Sequence, residues 1–418
     1  MFQIKQLIKM LLQNIILPFV YRLYCRRPVE DGLVLFADAH HASLPFSMRR
    51  MYEAVKGLEE GREKEDQSDS PSDGRPEGRT AGSKKKLSQK VHIETFVTDF
   101  DRLSFFAMAG WLLRFMRRYA AAEYVFICDY FLPVSSCRKR PETKVVQLWH
   151  SCGLMKKIAY DATEDIPKGY RGNLFGNYTY LTLSAEVCVP VHAHALRLPQ
   201  DHIFATGVSR TDFYFDKEWN QKCREHFFRE HPEAAGKRIA VWAPTFRGNA
   251  ALPRLEGLDA VLQASKELTE KWFFVIKAHP HIDRHGKISN SEIPTEELLP
   301  VADVLVTDYS SLLFDWLLYR KPTILFAPDL EEYESARGFY IDYRSIPFPL
   351  AQSEEELRAI FTQSEEGQGI SPARGGEPEG GAVESTGQSG DADEFRKTYV
   401  GTCDGHATER ILKLAGLG

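Results

Sequence analysis

The sequence predicts an α/β protein made of two doubly wound parallel-sheet domains facing a cleft. Two blocks carry this, because in each of them short apolar runs that read as strands alternate with stretches of helical period. Gly, Pro and His cluster between 190 and 236, where a junction is expected. A chain of 418 residues leaves room for two domains with sizeable cores at roughly 150 residues each. Lys and Arg number 53 against 58 Asp and Glu, a net charge of −5. No global basic field is present, so no nucleic-acid partner is expected. Seven scattered cysteines without a C-x-x-C pair point to reduced thiols, not to a disulfide framework or a zinc site.

Residues 1–28 open the chain as a basic amphipathic helix. Ile4, Leu7, Ile8, Leu11, Leu12, Ile15, Ile16 and Phe19 recur at helical spacing, and Lys5, Lys9, Arg22, Arg26 and Arg27 are its charges. Gln13 and Asn14 interrupt the apolar run, which suits a helix lying in a membrane interface better than one crossing it. Packing of this stripe on its own domain is the alternative.

The first domain is expected over 29–190, with strands at 33–37, 91–97, 124–128 and 144–148 and helices at 46–58 and 102–119. Residues 60–90 are charged and rich in Ser, Gly and Pro, the composition of a disordered insertion. An inter-domain connection follows over 191–236. The second domain, 237–363, has strands at 238–242, 272–276, 304–306 and 323–326 and helices at 258–270 and 311–319. A second insertion at 364–393 and a C-terminal helix within 394–418 close the chain.

In open α/β sheets ligands sit beyond the carboxyl ends of the strands, so polar residues directly after apolar runs are the candidates. WHSCGLMKK follows one strand and offers His150 as a general base, Gly153 for close backbone approach, and Lys156 and Lys157 as cations for phosphate. ATGVSRTD offers Arg210, and WAPTFRG offers Thr245 and Arg247, whose guanidinium can fork onto phosphate oxygens. IKAHPH places Lys277, His279 and His281 after a third strand, where Asp283 is the one nearby carboxylate, so a metal centre is not expected. VTDYSSLLFDW ends its strand at Asp308, and Ser310 and Ser311 stand at the start of the next helix, where free N–H groups attract an anion. Asp329, Tyr333, Arg337 and Gly338 follow the next strand and reach the same sheet edge.

Taken in order, WHSCGLMKKIAYD, ATGVSRTD, WAPTFRG, IKAHPH, the stretch from VTDYSS to ARGFY and the closing FRKTYVGTCDGHATERIL resemble the CDP-glycerol glycerophosphotransferase family. That family primes or polymerises teichoic acids and related polyol-phosphate polymers in Gram-positive bacteria. The resemblance implies a GT-B-like fold and a CDP-glycerol or CDP-ribitol donor. It also implies a lipid-linked polyprenyl-diphosphate saccharide or polyol-phosphate acceptor at the cytoplasmic face of the membrane, where the protein would be peripheral. It matches His150 and His279 to two functionally important histidines, and Ser310, Ser311, Asp329, Tyr333 and Arg337 to the surroundings of the donor. No cofactor is required by this reading, although Mg2+ is compatible with it. Where the family often has Trp-His-Gly, this chain has Trp149-His150-Ser151, and both histidines are kept. The expected reaction is attack of an acceptor hydroxyl on the polyol-bearing phosphorus, releasing CMP. His150 would be the base, Lys277 and His279 would neutralise pyrophosphate charge with Asp308, Gly338 and the serines around them, and the remaining cations would meet acceptor phosphate. A GT-B glycosyltransferase, a sugar-nucleotide epimerase and a noncatalytic membrane-associated binding protein are the rival readings.

Overall fold

The structure is a computed structural model that describes residues 11–68, 91–166, 173–245, 247–249, 252–277, 291–365 and 388–418. The first sheet has six parallel strands, β1 (Leu33–Asp38), β2 (His92–Val97), β3 (Tyr124–Ile127), β4 (Lys144–Gln147), β5 (Tyr180–Thr182) and β6 (Ile203–Phe204), in the order β2-β1-β3-β4-β5-β6. Every residue of β1 is buried, as helices on both faces of a parallel sheet require. Strands β5 and β6 and the helix Cys188–Leu196 extend this sheet, so residues 191–204 belong to the first domain and not to a connection. These strands are three and two residues long, too short to show a periodic pattern.

The second domain holds β7 (Arg238–Ala243), β8 (Arg247–Asn249), β9 (Leu252–Arg254), β10 (Trp272–Ile276), β11 (Val304–Thr307), β12 (Thr323–Phe326) and β13 (Leu350–Ala351). Five of them form a parallel sheet, β10-β7-β11-β12-β13, and β8 and β9 make an antiparallel hairpin. In both sheets the strand order reverses beside the first strand. That places switch points between β1 and β3 and between β7 and β11, where such folds bind ligands.

Two segments differ from the sequence expectation at their edges. The helix Phe46–Ser68 runs into the expected insertion at 60–90, of which 69–90 lie outside the described residues. The helix Gln388–Val400 begins inside the second expected insertion, and Ala392 and Val400 are buried in the second-domain core. The closing stretch is two helices, not one. Gly405 sits at φ +89° between them, and Ala407–Ala415 returns to the first domain, where Ile411 and Ala415 join the core and Lys144 Nζ donates to the Ala415 carbonyl at 2.7 Å.

The N-terminal segment divides its apolar residues between two environments. Leu17 and Tyr21 are buried, and Tyr21 lies 4.8 Å from the Tyr119 ring of the helix Phe105–Tyr119. Leu11, Ile15, Ile16, Phe19 and Leu23 remain exposed, so the stripe seen in the sequence is not the face that packs. Residues 1–10 lie outside the described residues. No described helix is long and apolar enough to cross a membrane.

Candidate active site at two sheet edges

The first sheet edge is built around His150. Gln147, fully buried at the end of β4, accepts from Trp149 N through Oε1 at 3.1 Å and donates through Nε2 to the Asp129 carbonyl at 3.0 Å. This tethers the loops after β3 and β4 to each other. Trp149 takes φ +58°, a left-handed conformation that costs a bulky residue about 1–3 kcal/mol and clusters at functional sites. Its ring is stacked on the His150 imidazole at 5.1 Å and packs edge-on against buried His192 at 5.5 Å. Burial pushes the His192 imidazole down to about 4, so it stays neutral against Trp149. His150 itself is 46% exposed, with Nδ1 3.3 Å from the Cys128 carbonyl and 3.7 Å from Asp129 Oδ1. Donation from Nδ1–H to that carbonyl leaves the Nε2 lone pair free, the tautomer a general base needs.

The same edge holds residues that the sequence reading passed over. Asp38 ends β1 at 2% exposure, and its Oδ2 accepts from the backbone N–H groups of His40 and His41 and pairs with His41 Nδ1, each at 2.9 Å. Donation to the Asp38 carboxylate raises the His41 imidazole, with burial working against it. Burial opposes ionisation of Asp38, yet the bonds from His41 and His40 hold its carboxyl below the usual aspartate range. Charged together, the pair contributes stability above the ordinary aspartate range and loses it as pH rises through the raised His41 value. The signal was present in the text: DAHH directly follows an apolar run, the same rule that selected His150.

The second edge is organised by Arg247, which is 8% exposed. Its Nη2 reaches Asp308 Oδ2 at 3.0 Å and Asp329 Oδ1 at 2.9 Å, its Nε reaches Asp329 Oδ2 at 2.7 Å, and Nη1 donates to the Thr245 carbonyl. The guanidinium carbon lies 4.7 Å from the Tyr309 ring centroid and 4.8 Å from that of Tyr333, and these rings stack 4.0 Å apart. Thr245 N donates to Asp308 Oδ1 at 2.8 Å, and the Tyr309 hydroxyl donates to Asp329 at 3.0 Å. Burial pushes the Asp308 carboxyl up against the pull of Arg247, while the Arg247 bonds outweigh burial and hold Asp329 low. The structure thus gathers Thr245, Arg247, Asp308, Asp329 and Tyr333 at the β7/β11 switch point. Arg247 does not stand free to fork onto phosphate, because all its nitrogens are committed.

Ser310 and Ser311 begin the short helix Leu312–Trp316. Ser310 Oγ accepts from Leu312 N at 3.3 Å, whereas the Ser311 side chain makes no capping bond. Lys277 follows β10 and donates to the Ser291 carbonyl at 2.6 Å, and desolvation lowers its ammonium. His279, His281 and Asp283 lie outside the described residues.

Two segments join the edges. Gly338 O accepts from Lys157 N at 3.1 Å and Met155 O from Tyr340 N at 2.7 Å, with Lys156 and Phe339 paired between them. Arg337 completes this strap by donating to the Lys157 carbonyl at 2.9 Å, to Glu164 at 3.2 Å and to Asp165 at 2.8 Å. Gly153, at φ +65°, lies under Phe314, whose ring a Cβ would meet at 2.2 Å. Its close approach therefore serves domain contact, not the backbone approach to phosphate expected from the sequence.

Over residues 110–373 the chain matches the CDP-glycerol:poly(glycerophosphate) glycerophosphotransferase family. The chain belongs to this family. It is 32% identical over 268 residues to the teichoic acid poly(ribitol-phosphate) polymerase of Bacillus spizizenii, covering 60% of this chain and 43% of that protein. Against the teichoic acid ribitol-phosphate primase of the same organism it is 30% identical over 256 residues, covering 57% and 65% respectively. The matches therefore span 43% and 65% of these relatives. A solved wall teichoic acid polymerase, TagF, shares the fold across 100% of this chain and 98% of its own, with a TM-score of 0.65 at 18% identity. The two parallel sheets fit the GT-B-like arrangement expected from the family resemblance.

Within this chain the ATGVSRTD motif has a structural role. Arg210, expected at the acceptor, is 5% exposed and pairs with Asp315 at 2.6 Å across the domains. Asp212 accepts from Ala407 N at 3.0 Å and Thr408 N at 2.7 Å, which caps the returning C-terminal helix. Spacing in the sequence cannot show that an Arg after a short strand has a carboxylate waiting 105 residues on.

Proposed function

We propose that this protein transfers a polyol phosphate from CDP-glycerol or CDP-ribitol to the hydroxyl of a lipid-linked acceptor and releases CMP. The observation that carries the reading is a histidine with a free Nε2 lone pair at one sheet edge together with the polar edge of Thr245, Asp308, Ser310 and Tyr333 at the other, in a chain of this family. His150 Nε2 takes the proton of the acceptor hydroxyl while its oxygen attacks the β-phosphorus of the donor. The P–O bond to CMP breaks, and the leaving CMP keeps that electron pair. His41, held by Asp38, adds positive charge beside the acceptor. Positioning and charge neutralisation are what such a displacement needs. Thr245, Ser310, Ser311, Lys277 and Tyr333 surround the donor, with the Arg247 triad shaping the wall behind it. A screen of purified protein against CDP-glycerol, CDP-ribitol and UDP-sugars, reading released nucleotide, tests this. CMP from a CDP-polyol supports the reading, and turnover of UDP-sugars alone overturns it.

The enzyme would meet its acceptor as a peripheral protein at the cytoplasmic membrane face. Support comes from the exposed Leu11, Ile15, Ile16, Phe19 and Leu23 and from the neighbouring helix Phe105–Tyr119, which exposes Phe105, Phe106 at 85% and Leu113 beside Arg114 and Arg117. Burial of one Phe side chain contributes about 1.5–3 kcal/mol, so Phe19→Asp or Phe106→Asp should weaken binding to anionic vesicles by at least about tenfold. Turnover on a soluble acceptor analogue should stay unchanged, and undiminished cosedimentation of both variants would contradict the assignment. Deleting residues 1–28 is a poorer test, since it also removes buried Leu17 and Tyr21.

A further inference from the structure

We propose that Lys156 is the cation that receives the donor's pyrophosphate, reaching to it from the first domain; this rests on the functional reading above. Among the described residues four of the other cations around the two edges are already engaged, and the Lys157 side chain lies against Gly338. Arg210 is paired with Asp315, Arg247 with Asp308 and Asp329, Arg337 with Glu164, Asp165 and the Lys157 carbonyl, and Lys277 donates to the Ser291 carbonyl. The Lys156 side chain has no hydrogen-bond or ion-pair partner among the described residues. It is partly buried, and the charges around it are Asp308 and Asp165, Arg337 and Arg247. Asp308 is already taken by Arg247 and Thr245 N, and Asp165 by Arg337 and Ala159 N, so neither supplies a counter-ion to spare.

A partly desolvated ammonium with no direct partner carries a cost, and desolvation lowers its proton affinity here. Such a group is retained where an anion completes it. The strap explains how it is held: the Lys156 backbone pairs with Phe339 of the second domain, whose ring packs 5.4 Å from that of Tyr309 and 5.8 Å from that of Tyr333, the two rings that face Arg247 at the β7/β11 edge. The loop that bears His150 therefore also delivers a cation to the other sheet edge, six residues on from the base. A diphosphate placed there would be bound by one domain's cation against the other domain's sheet edge.

The test is calorimetric titration of the full chain with cytidine, CMP, CDP-glycerol and CDP-ribitol, using wild type, Lys156→Met and Lys156→Arg, with a melting curve for each. A charged contact of this kind predicts that Lys156→Met weakens binding of the active CDP-polyol by about 10- to 100-fold. Cytidine binding should not change, Lys156→Arg should stay within a few fold, and the ligand-free Lys156→Met protein should melt at the same temperature or higher, because an unpaired charge has been removed. Unaltered CDP-polyol binding by Lys156→Met, or a lowered melting temperature with cytidine and CDP-polyol binding weakened alike, overturns the proposal. Failure of the wild type itself to bind either CDP-polyol overturns the functional reading, and this proposal with it.

Discussion

Replacing His150 with Ala should lower CMP-forming turnover by about 10² to 10⁴-fold, the range over which a positioned general base acts. The ring is 46% exposed and its packing is the stack on Trp149, so the variant should melt within a few degrees of the wild type. The loss should fall on kcat with little change in KM for the donor, because the proton is taken only as the acceptor oxygen attacks. Near-normal turnover in His150→Ala would remove it from the chemistry and shift the role to His41, whose own pair with Asp38 lies at the same sheet edge.

The second large effect concerns stability. Arg247→Met leaves Asp308 and Asp329 at the β7/β11 edge without their shared counter-ion, and breaking a buried ion network from one side costs about 3–5 kcal/mol. Tyr309 and Tyr333 also lose the cation over their rings. Urea unfolding should register the full loss in Arg247→Met. The triple variant Arg247→Met, Asp308→Asn, Asp329→Asn should recover much of it, since no unpaired charge then remains. A loss below about 1 kcal/mol in the single variant would mean that water reaches both carboxylates and that the edge is open instead of packed.

These two residues also mark how far the text of the chain could be read. The alternation of strands and helices was legible because β1, β3, β7, β10 and β11 are four to six residues long and mostly apolar. Residues at strand ends, His150, Thr245 and Asp308 among them, follow from that alternation and the rule that ligands sit at such edges. What a side chain faces after folding was not legible. Arg210 and Arg247 look alike in sequence, each an Arg shortly after an apolar run, yet the first bridges two domains and the second organises one sheet edge. Arg337 likewise reads as a donor ligand and is instead committed to the strap. The strap joins residues about 180 apart, a separation at which no local pattern forms. In the N-terminal helix the stripe of Leu11, Ile15, Ile16 and Phe19 stays exposed, and the burial of Leu17 and Tyr21 against Tyr119 follows from a contact that no local pattern shows.

The central claim is acceptor-dependent transfer from a CDP-polyol. Purified protein should be incubated with CDP-glycerol or CDP-ribitol labelled in the polyol, with and without a lipid-linked polyol-phosphate acceptor, while CMP and labelled lipid are measured together. The account predicts equimolar CMP and acceptor-bound label from one of the two donors, and neither product without acceptor. Absence of label transfer from both donors in the presence of acceptor would contradict it.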